Sequence, residues 1–106
     1  MTDYSKASKL FKTLSNPIRL KILDMLSCGE MCACDILESL TVSQSTLSHH
    51  MKALIGCKLV AGRKESTWMY YSIDQDKVRD LHSVIDMISK PKEPCICNKS
   101  RHGGIA

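Results

Sequence analysis

No stretch of this 106-residue chain approaches the roughly 18–20 consecutive apolar residues of a membrane-crossing helix, which excludes an integral helical membrane protein. The opening residues, MTDYSKASKLFKTL, lack the apolar centre of a secretory signal, and a cytoplasmic location is expected. There is no internal repeat. No glycine-rich phosphate loop, Ser/His/Asp grouping or paired carboxylate set is visible, so the chain is not expected to be an enzyme. Proline is scarce: Pro17, Pro91 and Pro94 are all there is, and each falls where an element should start or stop. The length allows one domain, since domains typically run about 100–150 residues. So small a core is thin and gains from burying surface in an oligomer. Apolar residues at 43% and charged residues at 25% are ordinary for a globular protein, which argues against disorder of the whole chain.

Against these absences stand six cysteines. In a cytoplasmic protein, thiols in that number are metal-binding, redox-active or plain rather than structural disulfides. The net charge is +4, unevenly laid out. Residues 41–73 carry Lys52, Lys58, Arg63 and Lys64 against Glu65 alone. Residues 30–40 carry Glu30, Asp35 and Glu38 with no base. Grouped positive charge suits a phosphate backbone, although a solvated surface gives the same signature.

Residues 5–15 place Ala7, Leu10, Phe11 and Leu14 at helical spacing. Asn16 is a good cap and Pro17 fits a first helical position, so a helix is predicted from Pro17 to about Cys28, ended by Gly29. Residues 30–34 (EMCAC) read equally as a short extended piece or a helix start. Asp35 to Leu40 reads as a short helix, and Thr41-Val42-Ser43 as a turn ending in a cap. Gln44 to Ile55 reads as a second helix with Leu47, Met51 and Leu54 inward. The period then changes. Residues 58–63 and 67–73 are β-like, with Lys64-Glu65-Ser66 between them, which signals a hairpin. Residues 76–90 form a last amphipathic helix with Val78, Leu81, Val84, Ile85 and Ile88 on one face. The expected fold class is mainly α with a β-hairpin wing (α+β), a winged helix-turn-helix. Residues 1–90 form the domain, and residues 91–106 a mobile, cysteine-containing tail.

Three stretches resemble the ArsR/SmtB family of bacterial metal-responsive repressors, over roughly residues 7–90. Leu14-Ser15-Asn16-Pro17-Ile18-Arg19-Leu20-Lys21-Ile22-Leu23 is similar to the family's opening, L-x-(D/N)-P-x-R-L-x-I-L. The segment from Val42 to Leu54 is similar to its recognition segment, S-x-S-x-x-S-x-H-L-x-x-L. Glu30-Met31-Cys32-Ala33-Cys34-Asp35-Ile36 resembles the box E-L-C-V-C-D-L of its arsenite, cadmium and lead sensors. The resemblance implies a homodimer on double-stranded operator DNA, because half-sites one helical turn apart need a two-fold axis. The first and last helices are the expected dimer surface.

The expected DNA contacts are Ser43, Gln44, Ser45, Thr46, Ser48, His49 and Lys52 on the recognition helix, with Arg63 and Lys64 on the wing. Short hydroxyls at a helix start donate to phosphates or base edges, and Gln44 can read adenine with two hydrogen bonds. One of His49 and His50 is expected to face the core. A capped amphipathic surface helix is the plainer alternative.

The expected metal ligands are Cys32, Cys34, Cys95 and Cys97. On a regular helix, residues two apart point about 200° from one another, so Cys32 and Cys34 would share an ion only if the first turn unwound. Such unwinding would re-aim the helix-turn-helix. Arsenic sensors of this family carry a third cysteine one turn later, where this chain has Leu37. Cys95 or Cys97 could replace it, from the same or the partner subunit. Cys57 matches one ligand of mycobacterial cadmium/lead sensors, but its companion position holds Ala53. Cys28 is expected in the core. The family's dimer-interface zinc site is missing, with Gln75, Lys77, Ile88 and Pro91 in its places. The expected function is repression relieved when As(III) binds the thiolates. The alternatives are the same switch answering Cd(II), Pb(II) or Zn(II), or a thiol redox sensor.

Overall fold

A computed structural model describes residues 3–91 of the chain. Five helices and three strands follow in the order α1 (Tyr4–Leu14), α2 (Pro17–Leu26), β1 (Met31–Cys32), α3 (Ala33–Ser39), α4 (Gln44–Gly56), β2 (Val60–Glu65), β3 (Trp68–Ile73) and α5 (Gln75–Ser89). Side-chain caps set most of the helix starts. Asp3 accepts from the Lys6 amide, Asn16 from the amides of Ile18 and Arg19, Ser43 from that of Thr46, and Asp74 from those of Asp76 and Lys77. The expected Asn16-Pro17 start is therefore realised. α2 stops at Leu26, short of Cys28, and the chain reverses at Gly29 with φ +135°.

The three strands form one antiparallel sheet in the order β1-β3-β2. The ambiguous EMCAC stretch is thereby resolved. Met31 and Cys32 pair with Tyr71 and Tyr70, and α3 starts directly after them. The hairpin turn lies two residues later than the sequence suggested. Glu65 pairs with Trp68, and Ser66 takes the left-handed backbone (φ 57°) that closes the loop. No glycine marks that turn, so Lys64-Glu65 reads as loop from sequence alone.

The core joins Ile22 and Leu26 of α2, Ile36 of α3, Leu47, Met51 and Leu54 of α4, and Leu40 and Val60. Leu47, Met51 and Leu54 face inward as expected. Cys28 does not join them. It lies beyond the last buried residue of α2 and is exposed, which corrects its expected core position. α5 buries no residue within the single chain despite its apolar face.

A half-buried polar bridge joins three helices around this core. Arg19 of α2 donates from Nε to His50 Nδ1 of α4 (3.0 Å) and from Nη1 to the Thr13 carbonyl of α1 (3.1 Å). His50 is the buried member of the histidine pair, and His49 is exposed. Burial, then Arg19 and His49, hold the His50 imidazole below its ordinary range. The unfolded chain thus takes this proton more readily than the fold does. His50 lends stability that is fully present above about pH 6.5 and is lost as pH falls below it. Urea midpoints should therefore drop between about pH 7.5 and 5.5. His50→Gln, which keeps an acceptor for Arg19 but does not titrate, should show a smaller drop. Equal drops would place the titration elsewhere.

Candidate nucleic-acid interface and thiol pair

The N-terminal half of α4 presents the polar residues as one surface. Ser43, Gln44, Ser45, Ser48, His49 and Lys52 are exposed and Thr46 is half-buried. The Ser43 hydroxyl accepts from the Thr46 amide, donates to Thr46 Oγ1 (2.9 Å) and lies 3.1 Å from Ser45 Oγ, so it is occupied as a cap. Ser45, Ser48, His49 and Lys52 line one shallow depression of about 570 Å³ that runs to Tyr71 on the wing. Recognition helix and wing thus share a continuous face. Its helix side is mixed: Ser45, Ser48, His49 and Lys52 share it with Met51 and the exposed Ile55, while Leu47 and Leu54 are turned into the core.

The two wing cations differ. Lys64 is exposed on β2. Arg63 is engaged: Nε and Nη2 donate to the two carboxylate oxygens of Glu30 (2.8 and 2.7 Å), and Nη1 donates to Glu65 (2.8 Å). Its guanidinium lies 4.6 Å from the centre of the Tyr70 ring. Those carboxylates push the Arg63 pKa further up, and Arg63 in turn lowers that of Glu30. Sequence reasoning offered Arg63 directly to phosphate and left Glu30 without a role. The one available signal was the acidic run 30–40 set against the basic run 41–73.

The cysteine pair differs from the helical expectation. Cys32 has extended backbone (φ −72°, ψ 145°) as the last residue of β1 and the cap position of α3, while Cys34 sits in the first turn of that helix. The strand-to-helix step swings the two side chains together, with Sγ atoms 2.9 Å apart. No unwinding is needed, and the 200° objection falls away because only one of the two residues is helical. The Cys32 sulfur, with some burial, holds the Cys34 thiol above its ordinary range. The pair opens on a cleft of about 380 Å³ bounded by α3, the start of α4 and the wing.

Among the described residues no third His, Cys, Asp or Glu joins the pair into a metal-holding group. Cys57 is elsewhere: its thiol donates to the Leu54 carbonyl (3.3 Å), and it lines a separate cleft with Lys6, Lys9, Lys58 and Lys77. Cys95 and Cys97 lie outside the described residues. No described helix is long and apolar enough to cross a membrane.

Residues 16–61 match the model of a family described as "Bacterial regulatory protein, arsR family". The chain is 42% identical over 101 residues to the arsenical resistance operon repressor of Staphylococcus xylosus, covering 95% of this chain and 97% of that one. It is 40% identical over 75 residues to a cadmium resistance transcriptional regulatory protein CadC homolog of Staphylococcus aureus, covering 70% of this chain and 62% of that one. Among solved structures it resembles the homodimeric winged helix-turn-helix DNA-binding domain of Mb0332 from Mycobacterium bovis, with TM-score 0.67, 31% identity and 80% of each chain covered.

If Glu30 and Glu65 hold Arg63 away from phosphate, releasing it should tighten binding to duplex DNA. Glu30→Gln should raise the affinity and steepen the plot of log affinity against log salt by about one unit, the slope of one added phosphate contact. An unchanged slope would leave Arg63 out of the interface.

Proposed function

Because the chain belongs to the arsR family of bacterial regulatory proteins, we propose that it is a transcriptional repressor that holds operator DNA as a homodimer and releases it when As(III) binds its thiolates. One observation carries the reading: Cys34 of α3 meets Cys32, at the end of a strand that pairs with β3 of the wing, at 2.9 Å. Two adjoining thiols are a chelating pair for a soft ion. Each gives up its proton on binding. Cys95 or Cys97, from the same or the partner subunit, supplies the third sulfur that As(III) takes.

The route to DNA is short. Cys32 pairs with Tyr70 in β3, so a sulfur drawn toward an ion pulls on the wing rather than on α3 alone. Glu30, two residues earlier, moves with the same strand and carries Arg63 with it. Ser43, Gln44, Ser45, Thr46, Ser48, His49 and Lys52 on α4, with Lys64 and Arg63 on β2, make up the DNA surface. A coupling of about 1–3 kcal/mol, five- to 150-fold in affinity, is typical between linked sites and is enough for release.

The S. xylosus relative favours As(III). The S. aureus cadmium regulator favours the second reading, in which Cys32, Cys34, Cys95 and Cys97 form a tetrathiolate for Cd(II), Pb(II) or Zn(II). The sulfur contact also fits a third reading, oxidation of the pair to a disulfide as a redox signal. Operator binding followed by fluorescence anisotropy separates them. Arsenite should weaken the complex at least fivefold, and Cys32→Ser/Cys34→Ser should abolish that response without weakening DNA binding. Normal arsenite release by the double variant sinks the proposal. Stronger release by Cd(II), or release by peroxide alone, selects one of the other readings.

The dimer is supported by apolar surface that one chain leaves bare. Tyr4 of α1 is 68% exposed, and Ile85 and Ile88 of α5 are 44% and 51% exposed. Replacing Ile85 and Ile88 together with Asp should give monomers in sedimentation equilibrium and cost most of the operator affinity. An intact dimer would move the interface elsewhere.

A further inference from the structure

Lysines from three parts of the fold line one cleft of about 470 Å³: Lys6 and Lys9 of α1, Lys58 in the step from α4 to β2, and Lys77 in the first turn of α5. No acidic residue shares its walls. Among the described residues the ion pairs engage Arg63, Arg79 and Lys90, and none of these lysines has a carboxylate partner. The acids at the adjoining helix starts serve elsewhere. Asp3 caps α1, Asp74 caps α5, and Asp76 pairs with Arg79. Asp80 lines the neighbouring groove with Lys6 and Lys77 and pairs with neither. Like charges held around one hollow repel unless an anion lies among them.

Position and donor chemistry fit that anion to a duplex backbone rather than to a small oxyanion. Ser45, His49, Lys52 and Gly56 follow one another at helical steps, which puts them on one exposed stripe of α4. Gly56, at the end of the stripe, lines the lysine cleft. The basic hollow therefore begins where the stripe expected to face DNA ends. The amides at that end are spent: those of Cys57, Lys58 and Leu59 donate to the carbonyls of Ala53, Ile55 and Leu54. A compact phosphate site is built from such amides, whereas a strand of phosphates needs only ammonium groups on flexible stems. The dimer contact through Tyr4 leaves this side of α1 open, since Lys6 and Lys9 lie about 200° and 140° round the helix from it.

We propose that Lys6, Lys9, Lys58 and Lys77 form a second phosphate-binding patch that grips the DNA backbone beyond the C-terminal end of the recognition helix. The inference rests on the reading of α4 as the DNA-reading helix, and adds a surface outside both that helix and the wing. Contacts to phosphate carry no base information, so the patch adds affinity and fixes the angle at which α4 enters the groove.

The test measures anisotropy of the full chain on the operator duplex, and on an unrelated duplex of the same length, over a series of salt concentrations. Lys6→Gln/Lys9→Gln/Lys58→Gln should flatten the plot of log affinity against log salt by about two to three units and weaken both duplexes alike, by about tenfold or more. Lys6→Arg/Lys9→Arg/Lys58→Arg should keep the original slope. Lys12→Gln/Lys21→Gln/Lys90→Gln removes the same charge outside the cleft and should change the slope by less than about one unit. Equal flattening by the two glutamine variants, or a loss confined to the operator, overturns the proposal. So does calorimetric binding of inorganic phosphate that the cleft variant loses while its DNA slope stays unchanged. If instead Gln44→Ala/Ser48→Ala leaves the preference for operator over unrelated duplex intact, the underlying assignment of α4 has failed.

Discussion

Two residues of extended backbone, Met31 and Cys32, decide most of what this molecule can do. By pairing with Tyr71 and Tyr70 they add a third strand to the hairpin, so the wing does not project as a free loop. A two-stranded hairpin alone is marginal in water, and a third strand steadies it. The same pairing keeps Cys32 extended at the moment the chain turns into α3. That change of backbone between neighbouring residues is what brings the Cys34 sulfur round to meet it. Strand pairing, thiol contact and wing position are one constraint seen from three sides.

The charges around this strand matter for position more than for strength. Arg63 bridges Glu30 before β1 and Glu65 at the end of its own strand, across the face of Tyr70. Exposed ion pairs contribute little to stability, about 0–1 kcal/mol, and these side chains are between one-third and two-thirds exposed. Their effect is to tie the segment ahead of the thiols to the strand expected to face phosphate. The acidic run and the basic run, which look like opposite ends of a charge map in sequence, meet here as partners. Half-buried Arg19 does comparable work among the helices. It joins the end of α1 to α2 and to His50 in α4, and so sets the recognition helix relative to the opening helices.

Much of the fold was legible in the residues. Asn16-Pro17 and Ser43 announce helix starts because their chemistry is local: a side-chain oxygen answers an amide two or three positions on. The apolar spacing of α4 likewise announced its buried face. The misses have non-local causes. Cys28 looked like core because it follows an apolar run, but the helix ends first and the chain turns outward. The wing turn was placed early because Ser66 adopts a left-handed backbone without the glycine that would have flagged it. Glu30 carried only the faint signal of an acidic run set against a basic one, since its partner Arg63 lies 33 positions away.

The order of elements, the helix caps, the inward face of α4 and the presence of a thiol pair beside a helix-turn-helix were determined by the sequence alone, because each depends on residues within a turn or two of one another. Whether Cys32 and Cys34 could meet without unwinding a helix, whether Arg63 was free, and whether the thiols faced a cleft were decided only by tertiary structure. Each of these answers depends on β1 finding β3 across some forty residues of intervening chain, and hydrogen bonds at that separation leave no periodicity in the sequence to be read.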